Sequence, residues 1–333
     1  MAISPDRYSV HVDRPLSTIL VANMQPDEVY IHDRVFASVP VAKQSDLYYS
    51  MPPDGWFRSS AQKRGPATET PGVNYHVNPN NRYSCDVYGV HVDLDDQTTA
   101  NYDQPLDPER DASRLLAKHI KIRKEIDWVQ RYFQLGVWSG FRVAGNAVSD
   151  FDCTQNYCKG QWDLPNANPI RDVDFMVDFF ISQTGYKPTG MVMARNVYTA
   201  LRNNPAVYGR KQYVSESFLD TAWLAKAFGL EEVIVSESVL NSSQEGQSRS
   251  MGFLLSNCFL LYYKAKSPAI LEPSAGYTFE WTGYPGAQGL TASVRQFRME
   301  HLRCTRIEAE AAYDFKVVSS DMGILGKNVL SVV

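Results

Sequence analysis

The chain has 333 residues, 44% of them hydrophobic and 12% aromatic, which is enough to bury a large core and excludes a disordered chain. Its formal net charge is −4 with both signs interspersed, which excludes a nucleic-acid binder acting through a basic face. Five cysteines, an odd number scattered along the sequence, exclude a disulfide framework and point to reduced thiols.

The opening MAISPDRYSVHVDRPLS lacks the charged-then-apolar order of a signal peptide. The longest apolar run, 252–263, is broken by Ser256 and Asn257 and is too short to cross a bilayer, so no membrane partner is expected. Residues 1–42 show short β-like runs, Val29–Ile31 and Arg34–Val41, among four prolines. Residues 50–82 are dense in Pro, Gly, Asn, Ser and Thr, the composition of a long loop or extended hairpin. Trp56, Phe57 and Tyr75 within it point to an interaction surface, and Tyr83–Val92 reads as the returning strand.

The strongest helix signal follows. Asp107, Pro108 and Glu109 supply a cap, a proline at N1 and an acid in the first turn. Leu115, His119, Ile122, Ile126, Val129 and Phe133 then recur at spacings of three and four, while Lys118, Lys121, Arg123, Lys124, Glu125 and Arg131 occupy much of the rest. The helix is predicted to run about 28 residues, roughly 40 Å, to Gly136.

Residues 150–168 read as a polar turn region holding Cys153, Cys158 and Trp162. A helix is predicted from Asn168-Pro169 to Gly185, a strand at Met191–Ala194, and a short helix at Val197–Leu201. Ser217 and Asp220 have capping-box spacing before a helix over Leu219–Phe228. Strands are expected at Val233–Val235 and around Phe253–Tyr263. Tyr277, Phe279 and Trp281 then alternate with small or polar residues, placing three aromatics on one side of a strand. A turn rich in glycine (283–289) leads into 290–318, which contains neither Pro nor Gly and reads as one long arm. Ile307, Ala309, Ala311, Tyr313, Phe315 and Val317 alternate along it with charge.

Catalytic and cofactor signatures are missing: no phosphate loop, no G-x-G-x-x-G before a helix, no nucleophile elbow and no H-E-x-x-H. Cys153 and Cys158 are at best half a zinc site, without a second pair. The acidic stretches 92–96 and 171–175 read as a solvated loop and a helix N-terminus. We therefore expect no catalytic, cofactor or metal site. An enzyme whose residues are dispersed over 168–265, with Asp172, Asp174 or His119 at its centre, is the alternative from that class.

The long aromatic loop, the overlong helix and the long arm exceed what one compact core covers, and further copies of the chain are the economical cover. Arg295, Arg298, Glu300, Arg303, Arg306, Glu308 and Glu310 then read as interfacial charge, with Trp56, Phe57 and Arg58 as loop contacts.

The order of these parts resembles the major capsid protein of tailed double-stranded DNA bacteriophages, a fold shared with encapsulin shells and herpesvirus capsid floors. The likeness covers nearly the whole chain, and YTFEWTG and VRQF…EAEAAYDFKVVSSDMG within 277–323 look like that family's long strands. It implies an α+β fold with an N-terminal arm (1–42), an extended loop (43–100) and a peripheral domain (101–149) carrying a spine helix (107–135). An axial domain (150–270) and the peripheral long strands with the C-terminus (271–333) complete it. The aromatic face of 277–281 is expected against the spine helix. The resemblance further implies a non-enzymatic shell of hexamers and pentamers of this chain. It also implies enclosed DNA without sequence-specific binding, a separate scaffolding protein, a portal, decoration proteins, and a place in the virion after assembly in the host cytoplasm. An encapsulin-like compartment and another phage structural protein are the alternatives. Lys63 lies in the loop where some relatives cross-link, without their pattern around it.

Overall fold

The computed structural model describes residues 26–50, 57–74, 78–101, 107–139, 142–143, 146–147, 150–154, 160–211, 220–244, 246–268, 272–284 and 292–331. Trp56, Tyr75, Cys158, Ser217 and the glycine-rich turn beyond Tyr284 lie outside them. In chain order come a 3-10 turn (Asp27–Val29), helix α1 (His32–Val35), and strands β1 (Ser38–Val41), β2 (Ser45–Ser50), β3 (Asn78–Ser84) and β4 (Asp86–Asp95). Helices α2 (Asp96–Ala100) and α3 (Pro108–Tyr132) follow, then short strands β5 (Arg142–Val143), β6 (Asn146–Ala147) and β7 (Phe151–Asp152). Next are α4 (Pro169–Thr184), β8 (Gly190–Ala194), α5 (Arg195–Asn203), α6 (Pro205–Lys211), α7 (Thr221–Ala227) and β9 (Glu232–Ser236). The chain closes with β10 (Val239–Asn241), β11 (Met251–Phe253), β12 (Cys258–Tyr262), β13 (Gly276–Trp281), β14 (Ala292–Met299), β15 (Cys304–Val317) and β16 (Gly323–Lys327).

Local signals acted as the sequence indicates. Asp107 accepts the Arg110 N–H and Asn168 accepts the Arg171 N–H, each with proline at the next position. Gly185 ends α4 at φ 71°, where a Cβ would be strained. At α7 the cap is Asp220 itself, bonded to the Thr221 N–H, so the helix starts two residues later than expected.

Two sheets organise the chain. In the long sheet, Tyr313 of β15 pairs with Glu280 of β13 and with Asp86 of β4, so β13 and β4 flank β15 on opposite sides. Strand β14 pairs with the other end of β15, and β1 adds in parallel to β13. The mixed sheet has the order β7-β16-β12-β8-β9. Its strands β8 and β12 are buried almost throughout, as continuous apolar runs require. Residues 323–327, expected beside the peripheral strands, belong to this second sheet instead, because Gly323–Lys327 pairs with Cys258–Tyr262.

Three further expectations change. The arm 290–318 is not one strand but the hairpin β14–β15. Its turn at 300–303 contains no Gly or Pro, and Arg303 takes the left-handed conformation at φ 51°. Of the two short β-like runs, 29–31 is not a strand and 34–41 is one only over Ser38–Val41, since 27–29 and 32–35 are helical and Ile31, Val35 and Phe36 are deeply buried. On α3 the buried stripe is Ala112, Leu116, Ile120, Lys124, Glu125, Trp128 and Tyr132, whereas Leu115 is 44% exposed. Lys124 and Glu125, outside the predicted apolar face, are buried because their partners come from elsewhere in the chain.

One core cluster runs from the long sheet through α3 into the mixed sheet, joined by Phe36, Tyr132, Trp138 and Tyr262. Close packing at this joint requires glycine. A Cβ on Gly323 would lie 2.2 Å from Cε3 of Trp138, whose indole N–H donates to the Tyr132 carbonyl. Gly323→Ala is expected to cost about 1–3 kcal/mol or more by overpacking, read as a lowered thermal midpoint.

Candidate assembly interface

Paired residues on neighbouring strands share a face. Ile307, Ala309, Tyr313 and Phe315 of β15 therefore lie on the same side as Val92, Val90, Glu280 and Thr278. That side faces α3: Phe315 is 6.1 Å from Tyr132, and the Tyr313 hydroxyl donates to Asp127 at 2.8 Å. Tyr277, Phe279 and Trp281 consequently sit on the opposite side, away from the spine helix, which overturns the expected packing. They are covered by the base of the long loop: Tyr83 stacks on Phe279 at 4.6 Å and 13°, Tyr48 lies 5.6 Å from it, and Trp281 Nε1 donates to the Ala42 carbonyl. Cys85 completes this second cluster, and burial raises its thiol pKa to about 12.

Beyond the loop base, the same outer face becomes charged. Arg306 makes a two-pronged pair with Asp93 at 2.6 and 2.7 Å, and Arg295 lies 3.4 Å from Glu310. Glu308 lies half-buried on this face. On the other side of the sheet Arg298 grips Asp96 with two bonds at 2.5 and 2.6 Å. Glu300 and Arg303 are in the β14–β15 turn, exposed. The hydrogen bonds to Arg306 and Arg298 hold the Asp93 and Asp96 carboxyls below the usual range. The structure thus brings Arg295, Arg306, Glu308 and Glu310 onto one face and leaves Arg298, Glu300 and Arg303 off it. Asp93 ties β4 to β15 and Asp96 ties α2 to β14. The stretch 92–96 was expected to be a solvated loop, because these partners are some 200 residues away in sequence.

The loop carries exposed apolar side chains: Leu47 at 57%, Tyr49 at 72%, Phe57 at 62% and Val73 at 66%. Arg58 is exposed too, and the edge of the Phe57 ring lies against Gly185, at the end of α4. Phe297 and Leu302 add exposed apolar area at the β14–β15 end.

Of the residues of the enzyme alternative, Asp172 is buried and accepts the Trp162 indole N–H at 3.2 Å, while Asp174 of α4 and His119 of α3 are exposed. Among the described residues no group of three or more His, Cys, Asp or Glu side chains is arranged to hold a metal. A shallow cleft of about 240 Å³ between α3 and the long sheet is lined by Asp86, Tyr88, Asp127, Arg131, Tyr313 and Asp314. Asp127 in it is already bonded to Arg123 and Tyr313. No described helix is long and apolar enough to cross a membrane.

No protein-family model matches the chain, and no curated protein matches it. Solved structures do match along nearly its whole length. A phage-related protein from Bordetella bronchiseptica RB50 is 16% identical, with a TM-score of 0.68 over 92% of this chain and 94% of that one. The mature capsid of bacteriophage PhiM1 is 10% identical, with a TM-score of 0.59 over 99% and 100%. The SrpI encapsulin of Synechococcus elongatus PCC 7942 is 17% identical, with a TM-score of 0.58 over 96% and 95%. The chain has the fold of these phage capsids and encapsulins.

Proposed function

We propose that this chain is the major shell-building protein of a tailed double-stranded DNA bacteriophage head, assembling with copies of itself into hexamers and pentamers. The observation that carries this reading is a shell fold matched end to end, bearing a long loop that exposes Leu47, Tyr49, Phe57 and Val73. Apolar area of this kind on a folded chain marks an interaction surface. In this reading residues 43–100 reach a neighbouring copy, and the charged face carrying Arg295, Arg306, Glu308 and Glu310 meets another. Charge that is already paired within the sheet adds orientation and partner discrimination more than affinity.

The shell role is structural, without catalysis, cofactor or metal. The remaining partners are a separate scaffolding protein, a portal, decoration proteins, and DNA enclosed without sequence reading. The protein would be a virion component put together in the host cytoplasm. An encapsulin-like compartment is the second reading, favoured by the SrpI match, and the contents of purified particles separate the two: DNA for a phage head, protein cargo for an encapsulin.

Negative-stain imaging of the purified protein, with and without a co-expressed scaffold, tests the proposal. Rings or closed shells are expected. A Leu47→Ser/Phe57→Ser double variant should keep the wild-type thermal transition of the single chain and lose assembly by at least tenfold in sedimentable material. A monomer that yields neither rings nor shells under any of these conditions would sink the reading, and so would full assembly by the double variant.

A further inference from the structure

Between Tyr30 and Phe36 the chain occupies the corner where the long sheet, the spine helix and the mixed sheet meet. Phe36 touches both sides, 4.7 Å from Tyr132 of α3 and 5.5 Å from Tyr262 of β12. Apolar packing alone does not hold it. Glu125 of α3 is 1% exposed, and its Oε2 accepts the backbone N–H groups of Ile31 and His32, each at 3.1 Å, and Nδ1 of His32 at 2.6 Å. Its Oε1 accepts the hydroxyl of Ser238, just beyond β9 of the mixed sheet, at 3.4 Å. The other ring nitrogen of His32 lies 3.2 Å from Oδ2 of Asp33. Lys124 then bonds Asp33 at 2.7 Å and Glu280 of β13 at 2.8 Å, with the Tyr313 ring 5.9 Å away.

Both nitrogens of the buried imidazole therefore face carboxylate oxygens. A neutral ring donates from only one nitrogen and turns a lone pair toward the second carboxylate; the imidazolium donates from both. Without that proton, three carboxylates share the site, and Lys124 bonds two of them, Asp33 and Glu280. We propose that His32 is the proton-dependent pin of a clamp fastening residues 27–36 to the spine helix and the mixed sheet, closed as the imidazolium and loosened when the proton leaves.

The charged and titratable groups around the pin are Tyr30 and Asp33 from its own segment, Lys124 and Glu125 from α3, and, through Lys124, Glu280 from β13 and Tyr313 from β15. Burial by itself would lower the His32 pKa, but the hydrogen bonds to Asp33 and Glu125 outweigh it and the balance is upward. A folded-state pKa above the unfolded value of about 6.5 contributes stability that is fully present below that pH and is lost as pH rises through the folded value. The clamp therefore opens on the alkaline side. It is a property of the single chain and does not depend on what the chain assembles into.

Amide hydrogen exchange of the full-length protein from pH 6 to 9.5, with the intrinsic chemical rate divided out, reads the clamp directly. Protection over 27–36 is expected to fall by up to about tenfold per pH unit above about 6.5 until the folded pKa is passed, while 169–184 keeps its protection. Asp33→Asn, which puts a neutral amide in place of one carboxylate, should end the fall at a lower pH. His32→Gln cannot carry the charge and should leave 27–36 weakly protected at every pH. Flat wild-type protection over 27–36, or a parallel loss over 169–184, overturns the proposal whether or not the His32→Gln chain folds. A folded His32→Gln protein with the wild-type profile overturns it as well.

Discussion

Lys124→Met is expected to lower the unfolding free energy by about 3–5 kcal/mol, because it takes the ammonium away from a buried carboxylate. Glu280 is 6% exposed and would lose the ammonium 2.8 Å away, while the more exposed Asp33 can turn to water. The pair itself need not be worth that much. Taking both ions out of water costs several kcal/mol, so Lys124→Met with Glu280→Leu should recover most of the loss. Urea midpoints at unchanged slope measure both variants. If the double variant is as unstable as the single, the cost lies in lost packing rather than in an unpaired charge.

Trp162→Ala is expected to cost about 3–5 kcal/mol, the range for removing a buried aromatic. Trp162 is inaccessible, stacks on Phe259 at 5.0 Å and 11°, and donates its indole N–H to Asp172. Its backbone also ties distant segments: the N–H reaches the Val329 carbonyl at 2.8 Å and the carbonyl accepts from Asn204 at 2.9 Å. Trp162→Phe retains the stack and loses one hydrogen bond to a buried carboxylate, so it should cost about 1–3 kcal/mol. The same urea titration ranks the two, and equal losses would mean that the stack contributes little. Limited proteolysis should then find the 323–331 segment cut earlier in the Ala variant.

Why Trp162 could not be recognised from its surroundings illustrates a general limit. Residues 150–168 look like a polar turn, but Phe151 pairs beside β16 and Trp162 lies over β12, elements more than 90 residues away. The candidate interface divides in the same way. The irregular stretch 57–74 was legible, because Pro, Gly, Ser and Thr in that density do not build a core element. Which of the seven charged residues within 295–310 share a face was not, because the hairpin turn at 300–303 carries no Gly or Pro and shifts the strand phase.

By itself the sequence determined what depends on near neighbours: the capped start of the spine helix at Asp107, the closure of α4 at Gly185, and the period-two alternation along β15. Those follow from backbone sterics, orphan helix-end amides and side-chain alternation, which act within a few residues. Only the tertiary structure decided which side of 277–281 meets the helix, that Lys124 and Glu125 point inward, and that the C-terminal strand joins the mixed sheet. An alternating strand has two faces that local chemistry cannot rank, and a charge becomes a core residue only when its counter-charge arrives from a distant part of the chain.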